Sequence, residues 1–395
     1  MYTEETKLDF KNISDNLILD FDFNDMIFFD IETTGLSRTK HMIYLLGCLF
    51  YKDNTWQSIN WLATCLEDEE QIIKEFFNLL KDKKYLIHYN GNSFDIPFVQ
   101  SKARKYHIDT NTIDRITSID LLRICRRYKS FLNLPNYQLT TVEKFLNINR
   151  KDIYSGKELI EKYYDFIKLY SLDDLKGNYE KSNELKEILL LHNYEDIINM
   201  LPLMNLYKYE LLAKGNIVYD SHNITENILQ INYKLKHNGM PYTLPNNLNL
   251  TIGANTNTNT NTNTNTNTNT SVAPNSNINI TSTDDTLTIK MPIITGELKH
   301  YFDNYKDYYY LPHEDTAIHK TVGQYVEKEY REQAKANNCY IKKTGQYVYM
   351  PVSTTAQLPI FKTNYTSKDT YIELNEKFLT NELSTYVLTV ITSML

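Results

Sequence analysis

Residues 26–36 have the sequence Met26-Ile27-Phe28-Phe29-Asp30-Ile31-Glu32-Thr33-Thr34-Gly35-Leu36, an apolar run that ends in two carboxylates and a glycine. Four bulky apolar residues in a row predict a strand that is buried on both faces. Side chains two positions apart on a strand point to the same side, so Asp30 and Glu32 are expected next to each other. Such a pair is half of a site for a hard divalent cation such as Mg²⁺ or Mn²⁺. A helix cap or turn acid that happens to lie near a second acid is the alternative.

The composition is typical of a folded protein with at least one full hydrophobic core. The chain has 395 residues, of which 42% are hydrophobic, and this length allows two domains. No stretch approaches the roughly 20 apolar residues that span a bilayer, and the polar, acidic start is unlike a signal peptide. We therefore expect a cytoplasmic location and no membrane partner. The four cysteines are scattered, which favours reduced thiols over disulfides or a zinc site.

The charge distribution is acidic with one basic segment. The formal charge of −7 argues against binding of nucleic acid by overall electrostatics. Residues 102–129 nevertheless carry eight basic residues against three acidic ones. Within this segment Arg123, Arg126 and Arg127 share one face of a predicted helix. An acidic site with a basic flank suits a polyanionic substrate, although a solvated helix face is the simpler reading for any one of these arginines.

The first half of the chain predicts an α/β fold with a mixed sheet. Residues 43–51 and 56–61 are β-rich and are separated by a turn, which gives three antiparallel strands with the opening one. A helical pattern at 67–81 then leads to a strand at 85–89, most simply parallel to the first because a helix connects them. A short strand at 116–119 follows. Helices are expected to flank this sheet.

A third carboxylate follows the strand at residues 85–89. Asp95 stands at the start of the next predicted helix. Open α/β sheets place their sites at the carboxyl ends of the strands, so Asp95 can lie beside Asp30 and Glu32. A helix cap is the structural alternative for this aspartate.

A fourth motif lies on the last long helical stretch of the first half. His192 and Asp196 are four residues apart and therefore share a helix face. Apolar residues flank this face, where a polar pair is unusual. Either the two residues contribute to a site, or they form a buried hydrogen-bonded pair.

The second half predicts a different architecture. Residues 207–254 alternate like strands. Residues 255–284 contain a pure Asn-Thr repeat without an apolar side chain to bury, so we expect a disordered loop or linker. Residues 285–395 predict a smaller C-terminal α+β region, with helices at 316–336 and 375–395. Its clustered tyrosines could stack on bases or pack in a core; they are Tyr308, Tyr309 and Tyr310.

Together, the acidic motifs resemble the DEDD (DnaQ-like) 3′–5′ exonuclease superfamily, which has the ribonuclease H-like fold. The matching segments, in this order, are Asp30-x-Glu32, Asn90-x-x-x-Phe94-Asp95 and His192-x-x-x-Asp196. Residues 120–122, 150–156 and 192–196 are similar to the bacterial YprB-like ribonuclease H-like proteins. The resemblance covers residues 25–206, which we therefore expect to form one ribonuclease H-like domain.

The resemblance implies a metal-dependent nuclease, most simply a 3′–5′ exonuclease on single-stranded DNA or RNA. Two Mg²⁺ or Mn²⁺ ions about 3.5–4 Å apart would be held by four carboxylates: Asp30, Glu32, Asp95 and Asp196. His192 would orient or deprotonate the attacking water. The common members carry Tyr four residues or His five residues before the last Asp, so His192 departs from both. Substrate contacts would come from Thr33, Asn90, Phe94, Arg123, Arg126 and Arg127.

Other functions remain open at this point. The first half could be a nucleic-acid-binding module with attenuated chemistry, although four acids around a polyanion disfavour a pure binder. Cleavage within a strand would make the protein an endonuclease. The C-terminal region could also be the functional part, with the nuclease fold as its regulator.

Overall fold

The computed structural model describes residues 1–14, 17–176, 180–252, 277–351 and 358–393. The chain divides into two compact units, Met1–Lys208 and Tyr209–Leu395. The Asn-Thr repeat predicted to be a disordered linker lies outside the described residues. No helix in these ranges is both long and apolar enough to cross a membrane.

The first unit is built on one mixed sheet. Its strands are β1 (Tyr2–Leu8), β2 (Met26–Thr33), β3 (Ile43–Lys52), β4 (Thr55–Leu62), β5 (Tyr85–His88) and β6 (Thr117–Asp120). The six strands are ordered β1-β4-β3-β2-β5-β6. Strands β1 to β4 pair antiparallel, whereas β5 pairs parallel to β2 and β6 parallel to β5. The predicted α/β class with antiparallel strands followed by parallel ones is confirmed.

The first unit also contains helices. They are α1 (Lys11–Ser14), α2 (Asp68–Leu80), α3 (Asp95–Lys105), α4 (Asn111–Arg115), α5 (Leu121–Arg127), α6 (Lys129–Leu132), α7 (Leu139–Phe145), α8 (Gly156–Lys176) and α9 (Glu180–Leu203), and α10 (Tyr207–Ala213) begins at its last two residues. The apolar stripe of α2 is buried as its spacing predicts. One of its residues, Phe76, stacks on Phe29 of β2 with ring centroids 5.1 Å apart.

Strand β2 lies in the middle of the sheet and is buried on both faces. Phe29 faces α2, whereas Phe28 points to the opposite face and packs against Trp56 with ring centroids 5.9 Å apart. Because side chains alternate along a strand, Asp30 and Glu32 lie on the face of Phe28. The two carboxylates therefore point away from the α2 side of the sheet.

The second unit is mainly β-structure. Its strands are β7 (Ile217–Thr225), β8 (Ile228–His237), β9 (Met240–Pro241), β10 (Asn249–Ile252), β11 (Ile278–Thr283), β12 (Thr286–Tyr301), β13 (Tyr308–Leu311), β14 (Thr316–His319), β15 (Glu332–Gln333), β16 (Tyr340–Met350), β17 (Ile360–Phe361) and β18 (Thr370–Glu373). Among the described residues, β13, β14 and β15 form a three-stranded sheet and the other strands form a nine-stranded one. Besides most of α10, the described part of this unit contains the helices α11 (Lys320–Gly323) and α12 (Leu383–Thr392).

The divisions expected in the second half of the chain differ from those observed. Residues 207–254 and 285–395 were expected as separate segments, but β8 pairs antiparallel with β12 along seven residues. The range 255–284 was expected to be a linker, yet β11 lies within it and pairs with β12. Ile278 and Ile280 account for this difference, since their buried side chains give β11 an apolar face that the Asn-Thr repeat lacks.

The helix expected at residues 316–336 is wrong. Strand β14, the short helix α11 and strand β15 occupy this range, and β14 pairs with β13. A small core of Ala317, Ala334 and Cys339 lies beneath this sheet. Cross-strand packing outweighed the helical spacing here, because helix propensity is a weak preference. The helix expected at 375–395 is present in shorter form as α12, preceded by a π-helical turn at Phe378–Glu382.

Candidate active site

The five residues predicted to be catalytic come from three elements of the first unit. Asp30 and Glu32 lie on β2, Asp95 is the first residue of α3, and His192 and Asp196 lie on α9. Nε2 of His192 lies 3.2 Å from Oε1 of Glu32 and 3.4 Å from Oδ2 of Asp196. Candidate ligand atoms of Glu32, His192 and Asp196 all lie within 4.8 Å of one another, so this trio could hold a metal ion.

The pKa shifts of Asp30 and Asp95 indicate that their charges interact with each other and with Glu32. Burial raises the pKa of Asp30 well above its usual range, and the charges of Asp95 and Glu32 raise it further. Burial also raises the pKa of Asp95 to about 7 despite its hydrogen bonds to backbone N–H groups, and the charges of Glu32 and Asp120 raise the pKa further. Carboxylates that raise one another's pKa form a site that a cation would stabilise. The donor set and its charge therefore fit divalent metal ions.

Asp30 is oriented by Asn193, a residue that the sequence analysis missed. Nδ2 of Asn193 donates hydrogen bonds to Oδ2 of Asp30 at 2.9 Å and to its backbone oxygen at 3.3 Å. Oδ1 of Asn193 accepts a hydrogen bond from Asn60 at 2.8 Å, and Asn193 has no exposed surface. Asn193 stands directly after His192, within the segment 192–196 that carried part of the family resemblance, but no role could be assigned to it from the sequence.

His192 is held from its other side by Asp152. Nδ1 of His192 lies 2.7 Å from Oδ2 of Asp152. Burial lowers the pKa of His192, but the hydrogen bonds and charges of Glu32 and Asp152 outweigh this effect, so the pKa is raised above its ordinary value. Neither a capping box nor helical periodicity marks Asp152, because it lies in a loop.

Arg150 lies among several carboxylates. Nη2 forms an ion pair with Oδ1 of Asp196, Nε lies 3.4 Å from Oε2 of Glu143, and Nη1 lies 3.9 Å from Oδ2 of Asp152. Its guanidinium therefore neutralises part of the acidic charge around α9. The segment 150–156 carried part of the family resemblance, but no role could be assigned to Arg150 from its position in the sequence.

The residues predicted to contact substrate occupy different environments. Thr33 is buried, and its hydroxyl donates a hydrogen bond to the backbone oxygen of Gly35 at 3.0 Å, so it supports the turn after β2. Asn90 is exposed with a left-handed backbone (φ 66°). Phe94 is half-buried and packs against Phe98 with ring centroids 5.4 Å apart.

The three predicted arginine contacts lie on the exposed face of α5. Arg123, Arg126 and Arg127 are all exposed. Nε of Arg123 lies 3.9 Å from Oδ2 of Asp120, which caps α5 through the N–H of Leu122. The role of these arginines in binding a substrate stays a prediction.

The comparisons with known proteins agree with this fold. The family model RNase_H_2, of the RNase_H superfamily, matches residues 27–208. The matched range covers most of the first unit, Met1–Lys208. This similarity confirms the ribonuclease H-like fold that the acidic motifs implied.

The relatives match the same part of the chain. The uncharacterized protein YprB of Bacillus subtilis (strain 168) is 28% identical over 196 residues, which cover 49% of this chain and 44% of YprB. A DNA polymerase of Pyrococcus glycovorans is 26% identical over 195 residues, covering 40% of this chain and 24% of the polymerase. The chain thus spans less than half the length of these curated relatives.

Solved structures align with low scores. The family B DNA polymerase of Pyrobaculum calidifontis has a TM-score of 0.36 at 14% identity, covering 48% of this chain and 25% of that one. The zinc-bound complex of Escherichia coli ExoI with single-stranded DNA has a TM-score of 0.29 at 14% identity, covering 53% and 54%.

Proposed function

We propose that this protein is a divalent-metal-dependent nuclease that hydrolyses phosphodiester bonds in nucleic acid. The observation that carries the proposal is the meeting of Glu32, His192 and Asp196 beside Asp30 and Asp95 in a ribonuclease H superfamily fold. These residues are distant in the sequence, and three elements of the fold have to bring them together. The similarity of the first unit to proteins named DNA polymerases is consistent with a nucleic-acid substrate.

Two divalent ions, Mg²⁺ or Mn²⁺, fit the charge of the site. Asp30, Glu32, Asp95 and Asp196 would hold them, because four carboxylates and two dications have equal and opposite formal charge. When bound, such ions activate water and stabilise the leaving oxygen of a phosphodiester. The raised pKa values of Asp30 and Asp95 supply a reason for the site to bind cations.

The other residues of the site prepare it for this chemistry. Asn193 orients the Asp30 carboxylate through one hydrogen bond and donates a second to the Asp30 backbone oxygen. Arg150 neutralises one oxygen of Asp196 and thereby lowers the repulsion between the carboxylates. Catalytic groups have to be held close to their productive geometry, and both contacts serve this purpose.

The preferred substrate in this proposal is the 3′ end of single-stranded DNA or RNA. The family resemblance supplies the direction of cleavage. The half-buried ring of Phe94 beside Asp95 offers an apolar surface for a terminal base. The exposed arginines of α5 would attract the backbone phosphates of the same strand.

The test is a degradation assay with substrates labelled at the 3′ or the 5′ end, in single-stranded and double-stranded DNA and RNA, with Mg²⁺ or Mn²⁺. We expect progressive shortening from the 3′ end. Asp30→Asn and Asp196→Asn should each lower the rate by about a hundredfold or more, as expected when a metal ligand worth several kcal/mol in the transition state is lost. Asp165→Asn, at an exposed position of α8, is the matched control and should keep the wild-type rate.

The outcomes separate the competing functions. Equal background degradation by wild type and both site variants contradicts a nuclease. Internal fragments from both labels would make the protein an endonuclease. Tight binding of strands without cleavage would support a nucleic-acid-binding module instead.

A further inference from the structure

Both ring nitrogens of His192 face carboxylates. Nδ1 lies 2.7 Å from Asp152, while Nε2 lies 3.2 Å from Glu32 and 3.4 Å from Asp196. An ionised carboxylate accepts hydrogen bonds and donates none, so a neutral imidazole can satisfy only one side with its single N–H. The other nitrogen then needs a positive centre between itself and the facing oxygens, which is either a second proton on the ring or a metal ion.

The loop around Asp152 decides which nitrogen carries the hydrogen. The Asp152 side chain is 2% exposed, and its Oδ1 accepts the N–H of Tyr154 at 3.1 Å. The carboxylate of Glu195 accepts the backbone N–H groups of Lys151 and Asp152 at 3.0 and 2.8 Å. Oδ2 of Asp152 is thereby fixed as the acceptor for Nδ1–H. In a neutral ring, the lone pair of Nε2 is therefore directed at Glu32 and Asp196.

The distances around Nε2 match those between ligands of a single ion. Neighbouring ligands of an octahedral ion with bonds of about 2.1 Å are about 3 Å apart. Nε2 lies 3.2 and 3.4 Å from the oxygens of Glu32 and Asp196. A histidine that only deprotonates a metal-bound water contacts that water and not the metal. Its nitrogen would then lie farther from the carboxylate oxygens that bind the metal.

Asp196 is arranged to offer one oxygen to such an ion. Its Oδ1 is occupied by the guanidinium of Arg150, whereas Oδ2 faces Nε2 of His192. One carboxylate oxygen of Asp196, one of Glu32 and the imidazole nitrogen therefore surround the same point.

We propose that His192 is a metal ligand through Nε2, together with Glu32 and Asp196, and that the site binds Mn²⁺ in preference to Mg²⁺. Asp152 is the residue that positions the ring. The inference rests on the proposed function, because it assigns a ligand in the same metal site, and it replaces the role of general base expected for His192. Metal-bound histidines commonly donate their other N–H to a carboxylate. Imidazole ligands suit transition metals better than Mg²⁺, which prefers oxygen.

Pulsed EPR of Mn²⁺ bound to the full chain tests the ligand directly. We expect modulation from a coordinated imidazole nitrogen in the wild-type protein, and a changed pattern when histidine is labelled with the heavier nitrogen isotope. His192→Gln should bind Mn²⁺ without this modulation. His222→Ala removes an exposed histidine of the second unit and should keep it.

Affinity measurements test the metal preference and the role of Asp152. Competition titrations should show that the preference for Mn²⁺ over Mg²⁺ falls about tenfold in His192→Gln, since only the softer ion gains from a nitrogen ligand. Asp152→Asn should weaken Mn²⁺ binding by about 10–100-fold while the nitrogen modulation persists, as expected for a residue that orients a ligand.

The possible negative results separate a failure of this inference from a failure of the proposed function. If wild-type protein binds Mn²⁺ without nitrogen modulation, His192 is not a ligand, although the metal site and the nuclease proposal stand. If Asp152→Asn binds Mn²⁺ as tightly as wild type, Asp152 does not position the ring. If the wild-type chain binds neither ion, both this inference and the proposed function are overturned.

Discussion

Asp95 combines burial with nearby negative charge. It is 6% exposed, and its pKa is raised to about 7 by burial and by the charges of Glu32 and Asp120. The pKa of an aspartate in an unfolded chain is about 3.9. The folded, metal-free protein therefore binds a proton at Asp95 that the unfolded chain has already lost at intermediate pH.

This difference fixes the sign of a pH effect. Between about pH 4 and about pH 7 the native state binds more protons at Asp95 than the unfolded state, so this group lowers stability as the pH rises. A divalent ion that takes the place of the proton removes the free-energy cost of keeping Asp95 ionised in the folded protein. Thermal unfolding should therefore show a larger stabilisation by Mn²⁺ at about pH 7.5 than at about pH 5.

The control for this prediction is Asp95→Asn, which has no carboxyl to titrate at this position. The difference between the two pH values should shrink in this variant. Equal stabilisation by Mn²⁺ at both pH values in the wild type would contradict the raised pKa of Asp95.

Strand β3 and helix α9 approach each other closely at Gly47. A Cβ atom added to Gly47 would lie 2.1 Å from Oδ1 of Asn193 and 2.8 Å from Nδ2 of Asn60. These two asparagines are hydrogen-bonded to each other, and Asn193 in turn holds Asp30. The absence of a side chain at Gly47 therefore leaves room for the residue that orients a candidate metal ligand.

Gly47→Ala should displace Asn193 and with it Asp30. We expect a loss of about 1–3 kcal/mol in the free energy of unfolding, as for other overpacked core positions, together with weaker binding of Mn²⁺. Chemical denaturation and a metal titration measure the two effects. Gly156→Ala is the matched control, because an added Cβ there meets nothing within 4 Å. A Gly47→Ala protein with wild-type stability and affinity would show that Asn193 does not depend on this space.

The elements that the sequence predicted well are those whose pattern is local. Strand β2 follows from its apolar run, and α2 from the spacing of its buried residues. Strand β1 was not predicted, because its residues alternate between half-buried and exposed and include charged side chains. It is a strand because it pairs with β4 over seven residues, which is information from a distant part of the chain.

At the scale of the whole molecule, the candidate site is built entirely from the first unit, Met1–Lys208. A ligand stabilises the regions whose opening it prevents, so metal binding should slow hydrogen exchange around that site. We expect protection on adding Mn²⁺ in peptides covering residues 26–33, 90–97 and 189–197. Residues 217–252 and 277–351 should exchange as before.

Hydrogen exchange followed by mass spectrometry makes this measurement on the intact chain. Asp30→Asn with Mn²⁺ is the control, and its protection of residues 26–33 should be lost or much reduced. If Mn²⁺ also slows hydrogen exchange in the second unit, the prediction that metal binding stabilises only the first unit is wrong.

The ribonuclease H-like fold and the acidic residues of the candidate site followed from the amino-acid sequence alone. An apolar strand that ends in Asp30 and Glu32 is a local pattern, and so are carboxylates at the start of a helix or on its face. Few folds combine all of these patterns in one chain. Their order along the chain then indicated the family.

The residues that support the site became apparent only from the tertiary structure. Asn193, Arg150 and Asp152 act through contacts with residues more than 35 positions away, and no local period marks them. The structure also replaced the helix expected at 316–336 with paired strands, since cross-strand packing in a small core is stronger than helical propensity. Its placement of His192 between Asp152 and Glu32 turned an expected general base into a proposed metal ligand, because the direction of a lone pair depends on what holds the other side of the ring.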